Sequence, residues 1–302
     1  RHVNIKKSMK KKFSNISLLL IILFVLASCS NEDYLGGHFT TDREGSMVNI
    51  SAHITSELFQ DKTFVAGDKI GITTSYNDNT SRNRSYTCAE DGATFDATIG
   101  VPIYIKGNGF ISAYYPFMGE DGNEAIINLN TCLLYLNTKD QSAIPPLFVA
   151  NTNDITIGVT SAILNFKYAY AQMKLNLIVP EDETIKGYRL CGFVHEATVN
   201  SFTNDIELNV TSDLADVVYN SAKVITLTLI PQIVTADSYD PAKIVILGTN
   251  RSYTVAMGEV SLVQDHMNEY NIDLTDGIGS IEFIPGGAQW TPSTGGGNIS
   301  SH

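Results

Sequence analysis

The chain has 302 residues, of which 32 are acidic and 20 are basic, so its formal net charge is −12. This length suits two domains of ordinary size. An acidic surface repels phosphate groups, so the composition argues against a nucleic-acid partner and against binding to anionic lipid headgroups.

An apolar run near the start has the features of a secretory signal. Five lysines precede it, the run extends from Ile16 to Ala27, and small residues end it. A basic region, a short apolar region and small residues together make a signal peptide. A helix that spans a bilayer takes about 20 apolar residues, so this run is short for a permanent anchor. We predict a signal peptide over residues 1–28, with a retained transmembrane helix as the less favoured alternative.

The end of this run, "LASC" (26–29), resembles the lipobox of bacterial lipoproteins. In such proteins small residues let the peptidase approach, and the cysteine thiol takes the lipid before cleavage. The resemblance predicts lipidation of Cys29 and a lipidated tether over residues 29–46. The next residues, "SNED" (30–33), are similar to the export signals of surface lipoproteins in Bacteroidetes, and a solvated linker explains them equally well.

A two-residue period begins after the tether. In "VNISAHIT" (48–55) the apolar residues Val48, Ile50, Ala52 and Ile54 alternate with polar ones, which is typical of a strand with one buried face. Further strand candidates are Phe64–Thr73, Ile103–Lys106, Phe110–Tyr115, Ile126–Leu136, Ala162–Tyr170, Met173–Val179, Gly187–Val194, Ile206–Val210, Val224–Ile230, Ile244–Leu247, Tyr253–Met257 and Tyr270–Leu274. Turn-forming clusters such as "YNDNTSRN" (76–83), "KGNG" (106–109) and "GEDGN" (119–123) separate the first of them.

Many short strands at regular spacing indicate an all-β chain built from sandwiches or barrels. Strand-rich sequence lies on both sides of "VANTNDITIG" (149–158), so we place a domain boundary there. The predicted units are an N-terminal β-sandwich domain over residues 47–155, a C-terminal β-sandwich domain over 156–292, and a flexible tail over 293–302.

The motifs of common enzymes are missing from the sequence. "HEATV" begins at His195 like a zincin helix, but Val199 stands where the second histidine ligand belongs. There is no P-loop, no Gly-x-Ser-x-Gly elbow and no Cys-x-x-Cys pair. We therefore predict a protein that is not an enzyme, with no catalytic residues, no cofactor and no metal site.

Several separated motifs resemble signatures of the Bacteroidetes fimbrillins. They are "FVAGDKIG" (64–71), "AYYPF" (113–117), "IPQ" (230–232) and "EYNIDL" (269–274), the last followed by the lone tryptophan Trp290. With the lipobox, they occur in the order of that family and cover nearly the whole chain. The resemblance implies two tandem transthyretin-like β-sandwich domains. It also implies a component of a type V surface pilus, or a related adhesin, at the outer membrane.

The resemblance further implies a mode of assembly. In polymerising members a protease removes the N-terminal strand, and a neighbouring subunit adds a strand to the open groove by β-augmentation. The implied assembly strand is the alternating set Val48, Ile50, Ala52 and Ile54. The implied partners are other fimbrial subunits by strand addition, surface ligands of a host or of bacteria, and the outer membrane through the lipid on Cys29.

The chain departs from the family at the processing site. Where the family often carries Thr-Arg-Ala, this chain has "SEL" (56–58), and where it often has Phe-x-His, this chain has "FKY" (166–168). Cutting at one candidate, Arg43, would release the lipid and leave the first strand in place. Cutting at the other, Lys62, would remove the strand, but family-type processing favours arginine. We predict that the mature protein keeps the strand and its lipid, as an anchor-like or terminal component.

A binding module is the alternative interpretation. A surface lipoprotein that captures glycan for a nutrient-uptake system would be expected to expose tryptophan platforms, and Trp290 is the only tryptophan. Tyrosines can take the same role, so the alternative stays open. The neighbouring genes would discriminate: fimbrial genes favour the first interpretation, and a porin-type transporter with glycosidases favours the second.

Overall fold

Short strands joined by turns make up the computed structural model. It describes residues 46–76, 79–99, 102–105, 107–119, 133–156, 158–200, 203, 205–209, 218, 220–237, 240–276, 280–284 and 300–301. These residues contain no helix, so the prediction of an all-β chain is confirmed for them. It follows that no described helix is long and apolar enough to cross a membrane.

Twenty-two strands are described. They are β1 Ser46–Met47, β2 Asn49–Ile54, β3 Lys69–Tyr76, β4 Asn79–Cys88, β5 Thr94–Ala97, β6 Tyr104–Ile105, β7 Gly109–Tyr115, β8 Leu133–Asn137, β9 Phe148–Ile155, β10 Ser161–Tyr168, β11 Ala171–Ile178, β12 Ile185–Cys191, β13 Glu196–Asn200, β14 Ile206–Leu208, β15 Val224–Leu229, β16 Gln232–Val234, β17 Lys243–Gly248, β18 Ser252–Ala256, β19 Val260–Leu262, β20 Met267–Asp273, β21 Ser280–Ile284 and β22 Ser300–Ser301.

Seven strands between residues 49 and 168, called here the first half, close into a barrel in the order β10-β2-β5-β4-β3-β7-β9. Closure depends on β10, which pairs in parallel with β2 along residues 161–166 and then antiparallel with β9 at residues 167–168. One strand therefore joins the two edges that would otherwise stay open. This arrangement differs from the predicted sandwich, because the pattern of alternation gives no information about which edges meet.

The second half contains two four-stranded sheets, β15-β11-β20-β21 and β12-β17-β18-β22. Their buried side chains form one cluster, to which the first sheet contributes Met173, Leu175 and Tyr270 and the second contributes Ile244 and Tyr253. Along β11 every second residue is buried, as expected for a strand with one face in a core. The second half is thus a two-layer sandwich, while the transthyretin-like relationship stays a prediction.

A third sheet, β14-β13-β8, ties the two halves together. Strand β8 belongs to the first half of the chain and β13 to the second, and they pair antiparallel. The inward side chains of this pair are fully buried (0% exposed) and join the barrel core. They are Leu134, Leu136, Ala197 and Val199. The second half therefore supplies part of the core of the first.

The predicted boundary near residue 155 lies within a continuous run of strands. Residues 148–155 form β9, and β10, which the prediction assigned to the second domain, pairs inside the barrel. The first buried cluster runs continuously to Tyr170 and also takes in Ala197, Val199 and Ile230, while the second begins at Ala171. Of the predicted flexible tail, Ser300 and Ser301 pair with β18 as β22. The domain division and the flexibility of the tail stay predictions.

The turn predicted over residues 76–83 is wrong for its second part. Strand β3 ends at Tyr76, and β4 begins at Asn79, which pairs directly with Tyr76. The hairpin connection is therefore only two residues long. Polar residues continue as strand because β3 pairs with residues 79–81 and, after a register shift, again with Arg84.

The domain division leads to a specific test. A fragment that begins at Thr156 carries every residue of the second buried cluster but has β10 without β2 and β9. We expect it to fold as a β-protein by circular dichroism, with the amides of β10 unprotected in hydrogen exchange although they are protected in the full chain. An unfolded fragment would mean that the two halves share one cooperative core and that the boundary is wrong.

Candidate assembly site

Strand β2 occupies a central position in the barrel. It pairs in parallel with β10 over six residues, from Asn49↔Ser161 to Ile54↔Phe166, and antiparallel with β5 on its other side. Of the predicted assembly residues, Val48 is 2% exposed, Ile50 1% and Ala52 0%, and Ile54 packs partly buried against the same core. The buried face of the strand is thus the one that its alternation predicts, and its role in assembly stays a prediction.

Main-chain hydrogen bonds hold this strand along its length. Val48 N–H donates to the Ile103 carbonyl at 3.0 Å, Asn49 N–H to the Thr160 carbonyl at 2.9 Å, and Ala52 N–H to the Ala93 carbonyl at 2.9 Å. The preceding strand, β1, pairs with β6. The first strand therefore has partners on both sides within the barrel, and the segment before it pairs with β6.

The chain leaving β2 is held by a residue from the second half. Thr55 N–H donates to the Phe166 carbonyl at 2.9 Å. The hydroxyl of Ser56 donates to Oδ1 of Asp265, and Glu57 N–H donates to Oδ2 of the same carboxylate at 3.0 Å. Asp265 is 1% exposed, and the bond from Ser56 is buried while the bond from Glu57 is partly buried. Nothing in the sequence around Asp265 indicates this contact, because its partners lie more than 200 residues away.

The processing candidate Lys62 lies in a turn that packs on aromatic rings. Its N–H donates to the Phe59 carbonyl at 3.0 Å, and its Nζ lies 6.0 Å from the ring centroid of Tyr115 and 5.8 Å from that of Phe148. Cation–π contacts of this kind favour one position of the ammonium group. A trypsin-like protease would have to withdraw the side chain from these rings. Arg43, Cys29 and Trp290 lie outside the described residues.

Two of the family-like motifs meet at the entrance to β3. Gly67 has a φ of +91°, which glycine adopts without strain, and the turn closes with Asp68 N–H donating to the Val65 carbonyl at 3.0 Å. Val65 N–H donates to Asp68 Oδ2 at 2.9 Å, and the Tyr115 hydroxyl donates to Oδ1 at 3.2 Å. Burial, together with the charge of Asp68 and this hydrogen bond, raises the pKa of Tyr115.

The same two motifs meet again at Gly71. The Tyr114 hydroxyl donates to Asn83 Oδ1 at 2.6 Å, and its ring lies against Gly71, where an added Cβ would come within 2.3 Å of Tyr114 Cε1. Burial raises the pKa of Tyr114 to about 12, although the hydrogen bonds that its hydroxyl forms with Met118 and Asn83 oppose the shift. Glycine is thus needed here because the neighbouring ring occupies the space of a side chain.

The "IPQ" motif connects the two halves. Ile230 is fully buried in the barrel-side cluster. The side chain of Gln232 accepts a hydrogen bond from Val194 N–H at 2.9 Å and donates to the Val194 carbonyl at 2.9 Å. Its amide therefore replaces the main chain of a neighbouring strand. Like the other motifs, this one shapes the fold and places no reactive group at the surface.

The described residues include no group of three or more His, Cys, Asp and Glu side chains that could hold a metal ion. The "HEATV" segment lies at the start of strand β13 and not on a helix. The described arrangement as a whole is one of strand pairing.

Comparisons with known proteins agree with this architecture. A family model described as fimbrillin-like matches residues 57–288. A proposed cell adhesion protein from Bacteroides ovatus is similar with a TM-score of 0.57 and 16% sequence identity, over 80% of this chain and 97% of that one. A proposed cell adhesion protein from Bacteroides uniformis has a TM-score of 0.57 and 16% identity, over 79% and 96% of the two chains. At such identities the likeness concerns the fold alone. No curated protein matched.

The contact at Gly71 can be tested by a matched pair of substitutions. Gly71→Ala forces a methyl group into the Tyr114 ring, and we expect it to lower the free energy of unfolding by about 2–3 kcal/mol, as overpacked cores do. In the control, Gly67→Ala, the new methyl group has open space around it and only the positive φ is strained. That variant should lose about 1–2 kcal/mol. Chemical denaturation would measure both, and an unaffected Gly71→Ala would contradict the packing argument.

Proposed function

This chain belongs to the fimbrillin-like family, in agreement with the resemblance of its motifs, and we propose that it is a non-catalytic fimbrial component or a related adhesin at the cell surface. Its partners would be other fimbrial subunits, joined to it by strand addition. Surface ligands of a host or of bacteria would be bound by the assembled fibre. The fold supports this proposal because its described residues form paired sheets. Among those residues no cluster of side chains could hold a metal ion.

The observation that carries the proposal is the position of β2. In a closed barrel no groove is free, so a donated strand could enter only after β2 had left. Withdrawal of β2 would expose Val48 and Ile50, whose burial is worth about 1.5–3 kcal/mol each. It would also unpair the main chains of β10 and β5. A subunit that keeps β2 can end a fibre or anchor it, but it cannot accept a strand in this barrel.

The absence of arginine after β2 supports the same role. Glu57 stands where the family often carries the arginine of its processing site, and the next basic residue, Lys62, is held over aromatic rings. We therefore propose an anchor-like or terminal component rather than a repeating stalk subunit. In this proposal the lipid on Cys29 holds the protein in the outer membrane, and two or three acyl chains make such anchoring stable.

Lipid anchorage can be tested at the lipobox. Cys29→Ser should leave unprocessed precursor and abolish labelling by a radioactive fatty acid, because the thiol is the acceptor of the lipid. Ser30→Ala, a change at the neighbouring position, should leave labelling intact. Normal labelling of Cys29→Ser would contradict lipid anchorage at this residue.

Retention of the first strand can be tested on the protein taken from cells. Mass spectrometry of the surface-derived protein should give a mature N-terminus at lipidated Cys29. Cleavage after Arg43 would lose the lipid and still leave β2 in place. A mature N-terminus anywhere between Lys62 and Arg84 would mean that the strand is removed, and the proposal of an anchor-like or terminal role would then be wrong.

A further inference from the structure

One buried carboxylate links the exit of β2 to the second half of the chain. Asp265 uses both of its oxygens on residues 56 and 57, which lie 209 and 208 positions away in the sequence. The Ser56 side chain is also buried, with 3% of the residue exposed. Hydrogen bonds to an ionised carboxylate are about twice as strong as neutral ones, and burial protects the Ser56 bond in particular from competing water.

The turn that carries Asp265 is itself fixed. It joins β19 to β20, and Asp265 N–H donates to the Tyr170 carbonyl at 2.8 Å. Next to it, His266 N–H donates to the Val263 carbonyl at 3.2 Å, and Gln172 N–H donates to the His266 carbonyl at 2.9 Å. Asp265 has a φ of +62°, a conformation that aspartate tolerates better than most residues. Contacts within the second half therefore hold the Asp265 carboxylate in the position from which it accepts hydrogen bonds from residues 56 and 57.

The restraints beyond residue 57 are aromatic: Phe59 packs edge-on against Phe148, and Phe64 is 3% exposed. Residues 55–68 contain no strand, and within them Gln60 Nε2 donates to the Glu57 carbonyl at 3.4 Å in an exposed turn. The Glu57 carboxylate is 58% exposed and lies 3.3 Å from His266 Nε2, so it adds only a solvent-screened contact. Proteases cut segments that open locally, and the rate follows how often they open. Loss of the Asp265 contact would leave residues 56 and 57, between β2 and the packed ring of Phe59, without the two hydrogen bonds that hold them.

We propose that Asp265 is a latch that controls access to the chain leaving β2. While its carboxylate holds Ser56 and Glu57, the segment resists proteolysis and β2 stays in the barrel. When the contact is lost, the segment opens, and a protease of suitable specificity can separate the first strand from the rest of the chain. This inference deepens the proposed function and rests on it for its biological meaning, because it names the residue that enforces retention of the strand.

The test places a reporter cleavage site beside the latch. Glu57→Arg introduces a bond that an arginine-specific protease can cut, while the main-chain N–H of residue 57 still reaches Asp265. This variant is compared in the full chain with the double variant Glu57→Arg/Asp265→Gly. Glycine adopts the positive φ of this position, so the second change removes the carboxylate without straining the turn. The cleavage rate after residue 57 is followed by mass spectrometry under native conditions.

We expect cleavage after residue 57 to be at least about tenfold faster in the double variant. Cleavage after Arg251, which lies in the exposed turn between β17 and β18, serves as the internal control and should not change. Equal rates after residue 57 in the two variants, with equal melting temperatures, would overturn the latch. Parallel acceleration at both sites would overturn it as well, because that result would indicate global destabilisation.

A milder variant keeps the proposal falsifiable if the double variant does not fold. Glu57→Arg/Ser56→Ala removes one of the two hydrogen bonds to Asp265 and should accelerate cleavage after residue 57 by about threefold. No acceleration there would overturn the latch. The proposed function fails separately: a processed N-terminus between Lys62 and Arg84 on cells would contradict retention of the strand, whereas the cleavage rates of the purified variants would still decide whether Asp265 holds it.

Discussion

The parallel pairing of β2 with β10 is the constraint on which the first half of this molecule depends. Strand β10 reaches β9 only at its last two residues, and the rest of its length is satisfied by β2. If β2 were absent, β10 and β5 would each present an unpaired edge, and the core under Ile50 and Ala52 would meet water. Unpaired edges recruit other strands. In the proposed assembly by strand addition, the same pairing that closes the barrel would decide whether the subunit can accept a strand from a neighbour.

Side chains that replace main-chain partners hold the two halves together. Gln232 exchanges two hydrogen bonds with the main chain of Val194, and Gln141 does the same with Thr228, at 2.8 Å and 2.9 Å. Asp265 extends this pattern to the exit of β2. In each case a buried polar group would be costly without its partner, so the contact fixes a position as well as adding stability. Contacts between distant segments therefore depend on amides and a carboxylate as well as on apolar packing.

The recognisable motifs act through geometry. Gly71 leaves room for the ring of Tyr114, Gly67 takes a positive φ, and Asp68 fills the hydrogen bonds of the turn while it receives the hydroxyl of Tyr115. Through these contacts the residues fix the start of β3 against the end of β7. A family can therefore share such motifs while the surfaces that bind partners differ.

The sequence by itself determined many of the strands and their buried faces, although it did not indicate β4, β5, β9, β13, β16, β19 or β21. The alternation at Val48, Ile50 and Ala52 predicts which side of β2 is buried, because successive side chains of a strand point to opposite faces whatever lies beside it. The turn at Gly67–Asp68 and the end of β7 before Pro116 can likewise be predicted from the residues at those positions alone. Only the tertiary structure decided that β2 runs parallel to β10, that β10 belongs to the barrel, that polar residues after Asn79 continue a hairpin, and that Asp265 holds the exit of the first strand. These features are pairings between segments far apart in the chain. These pairings are favourable because strand edges and buried polar groups gain hydrogen-bond partners. A local pattern of residue types does not show which distant segment supplies the partner.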